Sequence, residues 1–494
     1  RPPRPRAGDS LRNQPGSIPF VLTTCGHLST RLLELKLYMK TIWLKGTAAF
    51  AFLFALGCAT APPGHDTAAQ IQSAASLANA ITFHTDALPA EATPAADTLP
   101  LSAAIERALR QSPEVQVALA NVRSAQADAH QTRLFSNPVL DIAFRFSGHN
   151  SLSRGVITRR HNTYIEAGLA TELLRILQRP RRISAADAAL RGTSTKAIIT
   201  TLDVVHQTQH HFFDAVGLRR ETEILTQRTN RIGQLLKVAE ARLAAGEGTQ
   251  LDVATLKAEQ STASIDLREA TLKLSQANIA LAHRLGQPRG RIDWQLTTPL
   301  YTQVALRDES DTIAHGLRAR PEIQADRWQL AALEDKTALA RLAWMEDTTA
   351  GLDTERESDW SLGPSLALPL PIFDSGQAKR AKARAQAIAA RQRLTQTTRQ
   401  VAREIRQAHH AVAQLMTTAS RARTELVQLH KERVRLARIV FDAGQEDVTN
   451  LRLAELDLLK AQLKLLRLDH RTTLAIIALY RATGGNKEEK PNDQ

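Results

Sequence analysis

Cysteine occurs only twice in the 494 residues, at Cys25 and Cys58. Everything after residue 58 therefore lacks a thiol, which excludes disulfides, thiolate catalysis and cysteine-based metal sites there. Aromatic side chains make up 4%, too few for a large ring-filled core. No run reaches the ~20 apolar residues of a membrane-spanning helix, so any crossing of a bilayer has to use strands. Glycine-rich phosphate loops, G-x-S-x-G, H-E-x-x-H and C-x-x-C are all missing, and with them the common signatures of enzyme chemistry. Glycine and proline are both absent for 67 residues between Gly376 and Gly444. A helix of that length would reach ~100 Å.

What is present is alanine, leucine, arginine and glutamine, the composition of long helices packed side by side. The formal charge of +14 points first to nucleic acid. However, eight of the 64 basic and two of the 50 acidic residues fall in 1–57, and the remainder carries 56 against 48, or +8. That remainder is spread along helix faces without interleaved aromatic residues, so nucleic acid is not an expected partner.

The segment from Met39 to Cys58, "MKTIWLKGTAAFAFLFALGC", has a short basic start, an apolar core from Thr47 to Leu56 and then Gly-Cys. This is the layout of an export signal. It resembles a bacterial lipoprotein signal, with Cys58 as the lipidated first residue of the mature chain; the alternative is an ordinary cleavable signal with an incidental cysteine. Ala55 stands three before the cysteine, where leucine is usual. Residues 1–38 read as an extension upstream of the natural start.

The body of the chain repeats itself. "QSPEVQ" at Gln111 returns as "ARPEIQ" at Ala319, "ARLAAGEGTQLDV" at Ala241 as "RIVFDAGQEDVTNL" at Arg438, and "ALAHRLGQ" at Ala280 as "ALYRATGG" at Ala478. Gly246 to Gly444, Gly286 to Gly484 and Arg182 to Arg380 are each 198 apart, while Pro113 to Pro321 is 208. The first copy thus holds ten extra residues, expected in the loop-like tract "SGHNSLSRGVITRRHN". Each copy reads helix, two strands, long helix, turn, long helix.

In the last helix Leu451, Ala454, Leu458, Ala461, Leu465, Leu468, Thr472, Ala475 and Leu479 form a heptad seam, and Leu456, Leu459, Leu463 and Leu466 form a second stripe. Two stripes imply neighbours on both sides, as in a wall of helices. The preceding helix carries its own seam through Ile405, Ala408, Val412, Leu415, Ala419, Ala422, Leu426 and Leu429. The strands have period two. "VLDIAFRFS" sets Leu140, Ile142, Phe144 and Phe146 against Asp141, Ala143, Arg145 and Ser147; "WSLGPSLALPLP" sets Trp360, Leu362, Leu366, Leu368 and Leu370 against small or polar residues. An apolar outer face over a polar inner one is the pattern of a transmembrane barrel strand, although a soluble sheet half-buried on helices alternates in the same way. Phe144, Phe146, Trp360 and Leu366 are the expected lipid-facing residues. Four strands cannot close a barrel alone, so several chains would have to share one.

Over about residues 99–485 the sequence resembles the outer membrane efflux family of the TolC type. The resemblance rests on the duplication, the "P-E-V/I" starts, "PLPIFDSGQ" at the strand-to-helix junction, the turns "AAGEGTQLDV" and "DAGQEDVTNL", and the closing "LYRATGG". It implies a mixed fold: a long α-helical coiled-coil barrel continued by a transmembrane β-barrel, four strands per protomer and twelve in a homotrimer. It further implies a passive duct from the outer membrane into the periplasm, which docks to a periplasmic membrane-fusion adaptor and an inner-membrane pump, with the RND type expected. The turns around Gly246 and Gly444 would form the periplasmic end, where Asp252 matches the position of a constriction-lining acid. Where some relatives carry a gate-closing basic residue, this chain has Glu446, next to Asp447. "LPLPIFD" and "TELLRILQRPRRISAADA" resemble the heavy-metal branch. The rival reading is a periplasmic coiled-coil adaptor or structural lipoprotein without a pore.

The expected layout is extension 1–38, signal 39–57, linker 58–98, first repeat 99–290, connector 291–317, second repeat 318–485 and polar tail 486–494. His206 and His210 stand four apart with His211 adjoining, and His409 and His410 lie near the equivalent place in the second repeat, but with no acidic or thiol partner in view they read as polar contacts. Neither a metal site nor a cofactor is expected.

Overall fold

The computed structural model describes Phe83 and residues 98–485, apart from 154–155, 288–293, 301–302 and 357–358. Cys58, the extension, the signal, nearly all of the linker and the tail lie outside the described residues.

Proline placement sets the first breaks. Strand β1 (Thr98–Leu99) leads into α1 (Leu101–Gln111); Ser112 then caps α2 (Pro113–Arg133), accepting a hydrogen bond from the Val115 amide at 3.3 Å. Pro113 takes the first helical position, where its missing N–H has no intrahelical partner to lose. Strands β2 (Val139–Ser153) and β3 (Val156–Glu172) follow, then α3 (Leu173–Ala244) and α4 (Gln250–Arg284). After β4 (Gln295–Leu296) the order recurs: α5 (Glu309–Ala319), α6 (Pro321–Leu339), a 3₁₀ turn (Ala340–Met345), β5 (Thr349–Arg356), β6 (Trp360–Ala367), α7 (Gln377–Arg421), a π-turn (Ala422–Leu426), α8 (Val427–Asp442) and α9 (Val448–Ala482). Helix α5 begins inside the stretch expected as a connector. It stands before Pro321 as α1 stands before Pro113, so two helices rather than one precede each hairpin. β1 and β4 pair in parallel, a two-residue bridge that the sequence pattern does not announce.

Helix α3, with 72 residues, is ~108 Å long by the rise of an α-helix. One half of it packs between α2 and α6, with α7 beyond α6; the other half packs between α4 and α9, with α7 and α8 beyond α9. The two stripes of α9 therefore do have two sets of neighbours. Leu451, Ala454, Ala461, Thr472 and Leu479 are buried on one stripe, Leu456 and Leu463 on the other. The largest core lies where α1, α2, α3, α4 and α9 meet. It centres on Phe212 and Phe213, fully buried with rings edge to face at 5.5 Å.

The seam of α7 runs as its heptads predict through Ile405, Val412 and Ala419 and then slips. The π-turn inserts one residue and rotates the following face by about 100°. Val427 is buried instead, and Leu429, expected inside, is exposed. A second correction concerns the tract 147–162. It is not a loop: its backbone extends the β2–β3 hairpin, paired as far as Ser153 with Val156.

The four longer strands form one antiparallel sheet in the order β2-β3-β5-β6. β3 is central beside β5, with Leu169 opposite Leu352, which joins the two hairpins. Among the described residues no helix is long and apolar enough to cross a membrane.

Candidate functional site

Three features of this frame bear on function: the turns that end the helix pairs, a polar ladder along the wall, and the sheet.

Gly246 and Gly444 adopt φ of +82° and +69°, a conformation that side chains resist. Each closes a Schellman motif. Glu247 N–H donates to the Arg242 carbonyl at 2.9 Å and Gly246 N–H to Leu243 at 3.1 Å; Gln445 donates to Val440 at 3.1 Å and Gly444 to Phe441 at 2.9 Å. The next helices start on side-chain caps. Thr249 and Asp252 form a capping box, the Thr249 hydroxyl 2.7 Å from Asp252 Oδ2, and those hydrogen bonds hold the exposed Asp252 carboxyl below its ordinary pKa. Asp447 caps α9 by accepting from the Thr449 backbone N–H at 3.4 Å and also accepts from its hydroxyl at 3.0 Å, and Glu446 accepts from the Asn450 side-chain amide at 3.2 Å. The turns are also joined. Arg242, from the last turn of α3, forms an ion pair with Asp447. Gly246, Asp252, Gly444, Glu446 and Asp447 thus gather at one end of the helical wall. Nothing in the local sequence marks Arg242, because its partner is 205 positions away.

From that end the contacts between α3 and α9 continue as an antiparallel ladder. Arg231 approaches Glu455 at 3.8 Å, Arg467 pairs with Glu221 at 2.7 Å, His470 Nε2 donates to Asp214 at 3.0 Å, and Arg481 meets both Asp203 at 2.7 Å and Glu322 at 2.6 Å. Asp214 also accepts from His210 Nδ1 at 3.1 Å. Burial pushes the Asp214 carboxyl up, but the two imidazole hydrogen bonds outweigh it and hold the group well below the usual carboxylate range. The same bond raises His210, whereas burial lowers His206 and His211. Sequence alone singles out the histidines but not their acid. The spacing His210-His211-x-x-Asp214 was the available signal; His470 could be placed only by the packing.

In the sheet, strand register puts Leu140, Ile142, Phe144 and Phe146 of β2 on the same face as Ile165 and Leu169 of β3, Leu352 of β5, and Trp360, Leu362 and Leu366 of β6. The other face holds Asp141, Arg145, Glu166, Asp353, Glu355, Ser361 and Ser365, with Arg145 and Glu166 paired at 2.8 Å. Within one chain the apolar face is open: Phe144 is 60%, Phe146 80%, Trp360 62% and Leu366 67% exposed. At the exit from β6, Leu370, Ile372 and Phe373 are exposed as well, just before Gly376 (φ +76°) turns the chain into α7. The Gly376 amide donates to Asp374 at 2.7 Å, and a Cβ at Gly376 would press on Ala343 at 3.2 Å.

The model of the family described as outer membrane efflux protein matches residues 104–287 and 313–485. Among curated proteins, the chain is 22% identical over 400 residues to the cobalt-zinc-cadmium resistance protein CzcC of Cupriavidus metallidurans, covering 79% of this chain and 91% of that one. It is 24% identical over 300 residues to the outer membrane efflux protein BepC of Brucella suis, covering 57% and 63%. Among solved structures, the outer-membrane channel OprN has the same fold, with a TM-score of 0.63 at 20% identity over 78% of this chain and 90% of that one. The chain belongs to the outer membrane efflux protein family.

Proposed function

We propose that this outer membrane efflux protein works as a homotrimeric passive duct whose three sheets close a twelve-stranded barrel in the outer membrane and whose helices continue as a tunnel through the periplasm. The carrying observation is the sheet. Among the described residues its apolar face, with Phe144, Phe146, Trp360 and Leu366, is left uncovered, and the outer edges of strands β2 and β6 are unpaired. Lipid tolerates neither open edges nor a polar outer face, so closure with other copies satisfies both demands. The helical wall supports the same assembly. Its edge helix α4 shows Leu251, Ile265, Leu272 and Ile279, multiples of seven apart, exposed to solvent; the opposite edge shows Leu429 and Leu436 on α8. Such heptad stripes are seams lacking a second helix. A pore-free coiled-coil lipoprotein would have no use for the sheet.

In this reading the turns around Gly246 and Gly444 form the periplasmic end, where a membrane-fusion adaptor docks and connects the duct to an inner-membrane pump of the RND type. Asp252, Glu446 and Asp447 line or flank its opening. The Arg242–Asp447 pair takes the place of the basic residue missing at position 446 and holds the two turns together. Cys58 carries the lipid. The duct performs no chemistry and needs no cofactor. The relative CzcC is named for cobalt, zinc and cadmium resistance, so divalent metal ions are the first cargo to test.

The test joins assembly with transport. Outer-membrane fractions should contain a heat-dissociable trimer that conducts in planar bilayers, and deletion of the gene should sensitise cells to the cargo of the co-encoded pump. A monomer recovered in the soluble fraction, or a trimer without conductance, would defeat the proposal.

A further inference from the structure

The cluster on the wall is more than an interhelical contact. His210, His211 and Asp214 each offer one ligand atom, and the three atoms lie within 4.8 Å of one another. On a helix, positions three and four apart share one surface, so Asp214 is reached by His211 from one side and His210 from the other. In a tetrahedral site the bonds are ~2.0–2.2 Å, which puts ligand atoms ~3.4 Å apart. The His210–Asp214 separation is already 3.1 Å, and a His211 ring nitrogen lies within 4.8 Å of a ligand atom on each of the other two.

The carboxylate is also oriented from behind. His470 of α9 donates to Asp214 Oδ1 at 3.0 Å, and His210 faces Oδ2. One oxygen is therefore fixed by an outer partner and the other presented to the cluster, as in the supporting shell of a metal site. Room for that partner comes from Gly217, where a Cβ would lie 2.5 Å from the His470 ring. The nearby cations are neutralised by partners of their own: Arg284 pairs with Glu114 at 3.1 Å, and Arg481 with Asp203 and Glu322.

We propose that His210, His211 and Asp214 form a binding site for a borderline divalent transition metal such as Zn²⁺, with His470 as the residue that positions Asp214 and water in the fourth place. Two imidazoles and a carboxylate suit Zn²⁺, Co²⁺ or Ni²⁺, while the lack of sulfur ligands argues against soft monovalent ions. The cation stands where the His210–Asp214 hydrogen bond now closes. The site rests on these side chains and is independent of the cargo of the duct; metal binding to the purified protein and export by the assembled channel can each fail without the other.

The experiment uses untagged full-length protein in detergent, stripped with chelator and titrated with Zn²⁺ by calorimetry and with Co²⁺ by visible absorption. One Zn²⁺ per chain and tetrahedral Co²⁺ bands are expected. His211→Ala is the informative variant, because among the described residues His211 makes no interhelical hydrogen bond, so its loss should leave the fold intact. It should weaken binding by a factor of ~100 and remove the bands. His470→Gln should weaken Zn²⁺ by ~10-fold while keeping the stoichiometry, in line with the effect of outer partners. His409→Ala, whose Nε2 contacts the Arg307 carbonyl at 2.9 Å elsewhere, should bind as the parent does. No binding by the parent, equal binding by His211→Ala, or loss in His409→Ala would each overturn the proposal.

Discussion

The helical wall and the sheet satisfy their apolar residues in opposite ways. The wall hides Phe212, Phe213, Leu225, Ile232, Ile405 and Ile476 almost completely within a single chain. The described side chains of the four long strands include none that is fully buried, and the largest of them, such as Phe146 and Trp360, are exposed. The hydrophobic effect can therefore hold the wall together in one copy in water, whereas in the proposed barrel the sheet gains its burial from lipid and from neighbouring copies. One part of the chain packs a core of its own; the other leaves its apolar face open.

The strongest way to break this contrast is inside the wall. Phe212→Ala should cost ~3–5 kcal/mol, as expected for emptying a fully buried aromatic site, and appear as an early helical melt in far-UV circular dichroism whether or not trimers form. A Phe212→Ala protein melting like the parent would deny the wall its own core.

The converse substitution acts on the sheet. Leu366→Arg should cost ~2–4 kcal/mol in a bilayer and remove heat-dissociable trimers from the outer membrane, leaving the helical melt of the isolated chain unchanged. Ser365→Arg, one residue along and on the opposite face, should assemble. Equal failure of both would refute the facing of the strand.

A smaller effect is expected at the turns. A Cβ added at Gly246 or Gly444 would meet nothing within 4 Å, so Gly246→Ala and Gly444→Ala should pay only for the left-handed backbone, ~1–2 kcal/mol each, read as a lowered midpoint in chemical unfolding. The least effect on stability belongs to Arg242→Ala. Its pair with Asp447 is partly exposed and should contribute at most ~1 kcal/mol, yet single-channel conductance should rise if the pair restrains the opening. Unchanged conductance would assign it to the fold alone.

Much of the fold is legible in the residues alone. The 198-residue offset matches Gly246 with Gly444 and Gly286 with Gly484, and all four have positive φ. Alternation in "VLDIAFRFS" and in the Trp360–Leu366 part of "WSLGPSLALPLP" predicts strand faces that the register reproduces, whereas Leu368 and Leu370 lie beyond the end of β6. Other features resist. Leu429 departs from its heptad because a π-turn carries no composition of its own and shifts every residue after it. The polar, glycine-containing tract 147–162 reads as a loop because ladder hydrogen bonds belong to the backbone and need no apolar alternation. Asp214 escapes notice beside its histidines because its role depends on His470, 256 residues later.

Composition and period by themselves determined the long helices, the glycine turns between them and the apolar faces of the strands at 139–146 and 360–366, since these depend on neighbours a few residues apart along one chain. Only the tertiary structure decided that α3 and α9 run antiparallel, that Arg242 meets Asp447, that His470 fits over Gly217 beside Asp214, and that the sheet's apolar face stays uncovered. Those outcomes depend on which surfaces come together after the chain has closed over long loops, and pairing at such separations is set by packing geometry rather than by local pattern.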